Sequence, residues 1–249
     1  MAWLLIDNSN TRTKFALGDA EHLMPWREIL ATPDISATSL AASLAKLDFE
    51  AVMICSVVPA KAAILRTYFE GKWPLHFLDH TSPLGMNIDY PLPSQIGADR
   101  LANAAGVLTR HGVPAIVIDF GTAVTFDVIS ATPAYCGGVI APGLAVMSDY
   151  LPQKTALLPK IELLEPESAI GKSTIHAMQV GAVIGYRGLV KEIIARICQE
   201  LPGQPQIVAT GGDAALIAQG ILEITALDPD ITLDGLRQVA TRVFLPSHS

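Results

Sequence analysis

Two stretches of this chain begin alike, about half its length apart. "LLIDNSNTRTKFAL" starts at Leu4 and "IVIDFGTAVTFDVI" starts at Ile116. Each reads as an apolar strand, an aspartate, a small polar turn and a second strand. Asp7 matches Asp119, Ser9 matches Gly121, and Thr13 matches Thr125. A repeat on this scale predicts two related domains. The seam falls at "TRHGVP", residues 109–114, where Gly112 and Pro114 end a helix that begins near Gly97. The expected halves are residues 1–112 and 113–249.

Hydrophobic periods place strands at about 3–7, 12–18, 51–57, 115–119, 123–129, 135–140, 206–210 and 223–227. Helical patterns cover about 36–47, 59–70, 97–110, 143–151, 173–200, 212–220 and 232–244. Such alternation predicts an α/β architecture. Half of the residues are apolar and 16% are charged, which excludes disorder. Mean hydropathy is high at +0.39, yet the most apolar run, "GVPAIVIDFGTAVTFDVI", is broken by Asp119 and Asp127, so no membrane span is expected. The opening "MAWLLIDNSN" has no basic region and meets Asp7 at once, unlike a signal peptide. A net charge of −7 without any basic run argues against a nucleic-acid surface. Cys55, Cys136 and Cys198 are odd in number and lie in apolar stretches, which predicts reduced cysteines in a cytoplasmic protein.

The chemistry of the repeat is legible from its residue types. Small residues let backbone N–H groups come close to phosphate oxygens, and a carboxylate at a strand end can hold the accompanying cation. Two such hairpins facing across a cleft would hold a nucleoside triphosphate from both sides. Taken singly, each is also an ordinary β-hairpin with a polar turn. A third element, "VATGGDAALI" at 208–217, runs from a strand through Gly211 and Gly212 into a helix. Its glycines leave room for a flat purine ring against the backbone. "SAIGKST", residues 168–174, imitates the end of a Walker phosphate loop. The position where that loop needs its first glycine is Pro166, which has no N–H to give. Two hairpins plus a Gly-Gly turn resemble the nucleotide signature of the actin, sugar-kinase and Hsp70-like superfamily. That resemblance implies two similar ribonuclease H-like domains, each a mixed sheet flanked by helices, with an ATP cleft between them.

Within that superfamily the chain resembles the type III pantothenate kinases, nearly end to end. The matching blocks are "LLIDNSNT", "SVVP", "IGADRLANA", "VIDFGTAVTFDVI", "GGVIAPGL", "IGKST", "MQVGAVIGY", "ATGGDA" and "DPDITLDGL". The resemblance implies transfer of the ATP γ-phosphate to the primary hydroxyl of pantothenate, the first step of coenzyme A synthesis. It makes Asp99 the catalytic base and gives Tyr90, Gly97, Ala98, Asp99, Arg100 and Thr174 to the pantothenate site. The first phosphate loop is then Asp7, Asn8, Ser9, Asn10, Thr11, Arg12, Thr13 and Lys14. Thr122 contacts phosphate from the second loop, and Gly211 and Gly212 hold the adenosine. Asp119 aligns with a ligand for a monovalent cation, K⁺ or NH₄⁺, while Mg²⁺ rides on the ATP phosphates and reaches Asp7 through water. Independently of the family, the first turn of a helix favours a carboxylate, which predicts an ionised Asp99 able to accept a hydroxyl proton. Arg100 offers a planar cation for carboxylate or amide oxygens.

Other features remain. The family usually has glycine where Ser9 stands, and serine brings a cost at positive φ and a side chain near phosphate, but also a hydroxyl donor. "HFLDH" gathers His76, Asp79 and His80, a cluster expected to be solvated, since a closed zinc site takes four ligands. Gly181, Gly185 and Gly188 share one helical stripe, which predicts close packing of another helix, inside the domain or across a two-fold homodimer. A kinase of the same fold acting on another small alcohol fits these residues too. So does a catalytically silent relative with an accessory role, for which Ser9 is the one supporting residue.

Overall fold

The computed structural model describes residues 1–245. It divides into two compact units. The first comprises Met1–Arg110, Pro133–Cys136 and the chain from Asp230 onward; the second comprises His111–Thr132 and Gly137–Pro229.

The first unit opens with β1 (Trp3–Asn8), β2 (Arg12–Gly18) and β3 (Leu23–Ala31), followed by α1 (Ala37–Leu44), β4 (Ala51–Ser56), α2 (Pro59–Phe69), β5 (Leu75–Phe77), β6 (Asn87–Ile88) and α3 (Ala98–Arg110). Its sheet has the order β3-β2-β1-β4-β5. β1 is buried along its whole length, as its unbroken apolar run before Asp7 requires of a central strand. It pairs antiparallel with β2 and parallel with β4. Leu4, Ile6, Phe15, Val52 and Ile54 point to one face, where α1 and α2 add Leu40, Leu65 and Phe69.

The second unit holds β7 (Ala115–Phe120), β8 (Ala123–Ile129), the part of β9 (Ala134–Pro142) from Gly137 onward, α4 (Ala145–Lys154), α5 (Thr174–Glu200), β10 (Gln206–Thr210), α6 (Ala214–Ala218) and β11 (Ala226–Leu227). Its strands run β11-β10-β7-β8-β9, the same arrangement read in reverse. β7 again pairs antiparallel with its hairpin partner β8 and parallel with the next strand, β10. The opening residues of β9, Ala134 and Tyr135, pair with β6 inside the first unit. Among the described residues, no helix is long and apolar enough to cross a membrane.

The last helix, α7 (Ile231–Phe244), belongs to the first unit, whereas the sequence division groups it with the second half. Its apolar stripe explains the difference. Leu233, Leu236, Val239 and Ala240 complete a core with Trp3, Leu5, Met53, Leu101 and Ala105, covering the second face of the first sheet. α7 and α3 cross at backbone contact through two glycines. A Cβ on Gly235 would lie 1.8 Å from the Ala102 carbonyl oxygen, and one on Gly106 would lie 2.2 Å from that of Ile231. Beside the crossing, the buried Thr232 hydroxyl donates to Asn103 Oδ1 at 2.7 Å.

Three strands escape the periodicity. β3 is half-buried along "LMPWREILA" and carries Pro25, so neither alternation nor an apolar run marks it. β5 and β6 are three and two residues long, too short to show a period. The expected helix at 212–220 shrinks to the five residues of α6.

The crossing makes a direct prediction. Gly235→Ala must push α7 off α3, and overpacking of a filled contact costs about 1–3 kcal/mol or more. That exceeds the roughly 1 kcal/mol that alanine returns in a helix. Urea unfolding should show a lowered midpoint, and an unchanged or raised midpoint would contradict the contact.

Candidate active site

The first hairpin is held together by its own polar side chains. Asn8 is fully buried; its amide Nδ2 donates to Thr13 Oγ1 at 2.8 Å, and its Oδ1 accepts from Ser56 Oγ at 2.7 Å. Thr13 Oγ1 lies 3.0 Å from Thr32 Oγ1, and Thr32 donates to the Ser9 carbonyl at 2.7 Å. Asn8 and Thr13 therefore spend their side chains on shaping the loop. Asn10, Thr11 and Arg12 are exposed at its tip, with Ser9 and Lys14 partly covered.

Asp7 sits at the end of β1, 3% exposed. Ser9 Oγ donates to its Oδ1 at 2.9 Å, the Cys55 thiol approaches the same oxygen at 3.9 Å, and Lys14 Nζ stands 3.7 Å from Oδ2. Among the described residues, none other than glycine takes a positive φ, so Ser9 does not carry the conformational penalty expected of it. Its hydroxyl orients the loop carboxylate instead.

Asp99 stands in the first turn of α3, with its Oδ1 accepting the Arg100 backbone N–H at 2.8 Å. Gly97 explains itself here: a Cβ would meet Asp99 Oδ1 at 2.6 Å, so only glycine lets the carboxylate lie against the chain. The helix position alone suggests a depressed pKa, but the structure reverses that direction. Burial raises the Asp99 pKa, the Arg100 N–H opposes it, and the charge of Asp7 raises it further. The pair is thus electrostatically coupled within one unit. Arg100 places its guanidinium 5.8 Å from the ring centre of Tyr135, and Tyr90 meets the same ring edge-on at 6.3 Å. Tyr135 is fully buried and links the two expected substrate residues. Sequence reasoning missed it, because one tyrosine in "TPAYCGG" carries no period or motif.

The second hairpin is one residue tighter. Asp7 pairs with Lys14 across the first, whereas Asp119 pairs with Thr125 across the second. The sequence match of Thr13 with Thr125 therefore slips by one, and Lys14 is the positional counterpart of Thr125. Thr122 is exposed at the turn. Gly143 packs its backbone onto this turn: its N–H donates to the Thr122 carbonyl at 3.2 Å, and a Cβ would meet Gly121 O at 2.3 Å. Tyr186 on α5 donates to the Pro142 carbonyl at 2.9 Å, fixing that support. Burial, with help from Asp213, pushes the Tyr186 pKa up to about 12, so it stays a donor. The Pro-Gly pair in "APGL" was the available signal for this prop.

Gly211 takes φ +94°, and a Cβ there would meet Phe120 O at 2.5 Å and Asp119 Oδ1 at 2.6 Å. Gly212 is exposed, with open space where a side chain would be. Thr174 is the exposed first residue of α5, whose Ser173 cap accepts the His176 N–H at 3.2 Å. Gly171 folds over that first turn, where a Cβ would meet Ala177 Cα at 2.5 Å. "GKST" thus follows an irregular segment, not a strand, and has no Walker geometry.

The first unit accordingly gathers Asp7, the loop to Lys14, Tyr90, Gly97, Ala98, Asp99 and Arg100; the second holds Asp119, Thr122, Thr174, Gly211 and Gly212. "HFLDH" is a turn: His76 Nε2 lies 2.8 Å from Ser82 Oγ, and Asp79 accepts from Thr81. No cluster of three or more acidic, His or Cys side chains poised for a metal occurs among the described residues. Lone hairpin carboxylates suit a cation that arrives with phosphate oxygens as further ligands.

Comparison with known proteins identifies the family and the fold. The family model described as type III pantothenate kinase matches residues 3–196. A type III pantothenate kinase of Akkermansia muciniphila is 57% identical over 240 residues, 96% of this chain and 98% of the relative. One from Methylacidiphilum infernorum is 43% identical over 239 residues, 95% of this chain and 87% of the relative. Among solved structures, the activator of 2-hydroxyisocaproyl-CoA dehydratase from Clostridium difficile, with bound ADPNP, aligns with a TM-score of 0.56 at 14% identity, over 98% of this chain and 94% of that one. The fold is that of the actin-like ATPases and sugar kinases.

The raised Asp99 pKa has a consequence for stability. A carboxylate that holds its proton more tightly when folded makes stability fall as pH rises between the unfolded and folded values. Asp99→Asn removes that burden. Its melting temperature should exceed wild type at pH 7, and the margin should vanish as pH drops below the ordinary 3.8. A mutant less stable than wild type at pH 7 would contradict the burial effect.

Proposed function

The chain belongs to the type III pantothenate kinase family, and on that premise we propose that it phosphorylates the primary hydroxyl of pantothenate with ATP, giving 4'-phosphopantothenate and ADP at the start of coenzyme A synthesis. The observation that carries the reading in this chain is the Asp99 carboxylate, lodged against Gly97 with its affinity for a proton raised. As the hydroxyl oxygen attacks the γ-phosphorus, the new O–P bond forms, the bond to the β-phosphate oxygen breaks, and the hydroxyl proton passes to Asp99. An upward pKa brings the base nearer to working pH, where proton acceptance is most effective. Arg100 and Tyr90, arranged about Tyr135, orient pantothenate, together with Gly97, Ala98 and Thr174.

The loop from Asp7 to Lys14 holds the ATP phosphates through backbone N–H groups and the exposed Asn10, Thr11 and Arg12. Thr122 adds a contact from the second hairpin, and the open side of Gly212 accommodates adenosine beside Gly211. Magnesium, when bound with ATP, neutralises phosphate charge, and Asp7 with its Ser9 partner would hold it through water. Asp119 holds a monovalent cation, K⁺ or NH₄⁺. Ser9 no longer favours a silent relative, since it adopts ordinary backbone geometry and steadies Asp7. Cys55, Cys136 and Cys198 form no disulfide, which supports a cytoplasmic enzyme.

The glycine stripe supports a homodimer. Gly181, Gly185 and Gly188 are exposed, nothing lies within 4 Å of a Cβ on any of them, and Ile184 and Leu189 beside them are 40% and 39% exposed. The close helix packing that such a stripe permits is therefore not met among the described residues.

Two measurements test these readings. In a coupled assay with pantothenate, ATP and Mg²⁺, Asp99→Asn should lower kcat by about 10²–10⁴-fold. Its ATP affinity should stay near wild type; turnover within about threefold of wild type would remove Asp99 from the proton transfer. Light scattering should give a mass near twice 26.5 kDa, and a mass of 26.5 kDa itself would refute the dimer.

A further inference from the structure

We infer that Thr210 is a second oxygen ligand of the monovalent cation that Asp119 holds, an inference that rests on the cation reading of Asp119. Thr210 ends β10 and is 2% exposed, yet its Oγ1 has no hydrogen-bonding partner among the described residues. A buried hydroxyl without a partner is destabilising, and native structures keep few of them without a use.

Its position supplies the use. β10 and β7 are parallel, and Thr210 is the registered partner of Asp119. Side chains of registered neighbours leave a sheet on the same face, on strands about 4.8 Å apart. The next residue, Gly211, is cut away at the same spot, since a Cβ would meet Asp119 Oδ1 at 2.6 Å and Phe120 O at 2.5 Å. One carboxylate oxygen and one main-chain oxygen thus flank the place where a side chain is excluded, next to the strand position that carries the unused hydroxyl. Hard cations are bound by such all-oxygen sets.

The internal repeat sharpens the point. Cys55 occupies the equivalent place beside Asp7, as the β4 partner of that aspartate, and its thiol approaches the carboxylate. A thiol is a poor ligand for a hard cation, whereas a hydroxyl is a suitable one. The two loop carboxylates are therefore furnished differently, and the hydroxyl accompanies the one assigned to the monovalent ion.

Thr210→Val removes the hydroxyl and keeps the branched shape; Thr210→Ser keeps the hydroxyl. Thermal shift is recorded on the full chain with Mg²⁺ and a non-hydrolysable ATP analogue, while K⁺ replaces choline. Thr210→Val should need about tenfold more K⁺ than wild type for the half-maximal shift, in line with one lost ligand. Thr210→Ser should stay within about threefold. Without K⁺ and nucleotide, Thr210→Val should melt no lower than wild type, because it loses an unpartnered group.

A wild-type response with an unchanged K⁺ midpoint in Thr210→Val would overturn the inference and leave Asp119 standing. Analogue affinity falling equally in Thr210→Val with and without K⁺ would also overturn it, assigning the hydroxyl to phosphate. A wild type indifferent to K⁺ would overturn both readings.

Discussion

Each sheet stations a carboxylate at the end of its first strand, between a hairpin partner and a parallel neighbour, and the proposed chemistry depends on that placement. A strand end is one of few places where a charged group can be well covered and still face a ligand. Asp7 is 3% exposed there because Ser9, Lys14 and Cys55 surround it. The apolar run before it, Leu4 to Ile6, anchors it rigidly in the core. Burial makes Asp99 more basic, and the charge of Asp7 adds to that through space.

The repeat made most of this legible. A strand, an aspartate and a small turn, written twice, sufficed to anticipate two sheets and the placing of Asp7 and Asp119 within them. What escaped has physical causes. β3 lies half-buried at a sheet edge, where neither alternation nor a hydrophobic run is required. The tighter second turn cannot be read from aligned letters, since Phe15 and Phe126 face each other in the comparison only once one residue is skipped. Tyr135 and Gly143 act through contacts with residues distant in sequence, and such contacts leave no local pattern. The upward shift of the Asp99 pKa is not legible in the sequence, because a helix start is visible there while burial is not.

Ser9 shows how a departure from a family pattern can be absorbed. Glycine at that point would leave Asp7 with one donor fewer. Serine keeps φ negative, closes a hydrogen bond onto the carboxylate and leaves its own carbonyl to Thr32. The loop has exchanged backbone freedom for a fixed carboxylate, and the neighbouring Asn8 and Thr13 hold the frame in which that exchange works.

The return of α7 to the first unit bears on how the chain folds during synthesis. The ribosome delivers β1 to α3 first, but the core in which Trp3, Leu5 and Met53 of the sheet meet Leu101 and Ala105 of α3 stays incomplete until residues 231–244 emerge. The second unit, by contrast, is complete once Pro229 has appeared. The unit begun first is therefore the last to close, and the apolar residues that α7 will cover stay open to aggregation until it arrives. A fusion partner or truncation at the carboxyl terminus would strike the amino-terminal sheet, at the opposite end of the gene.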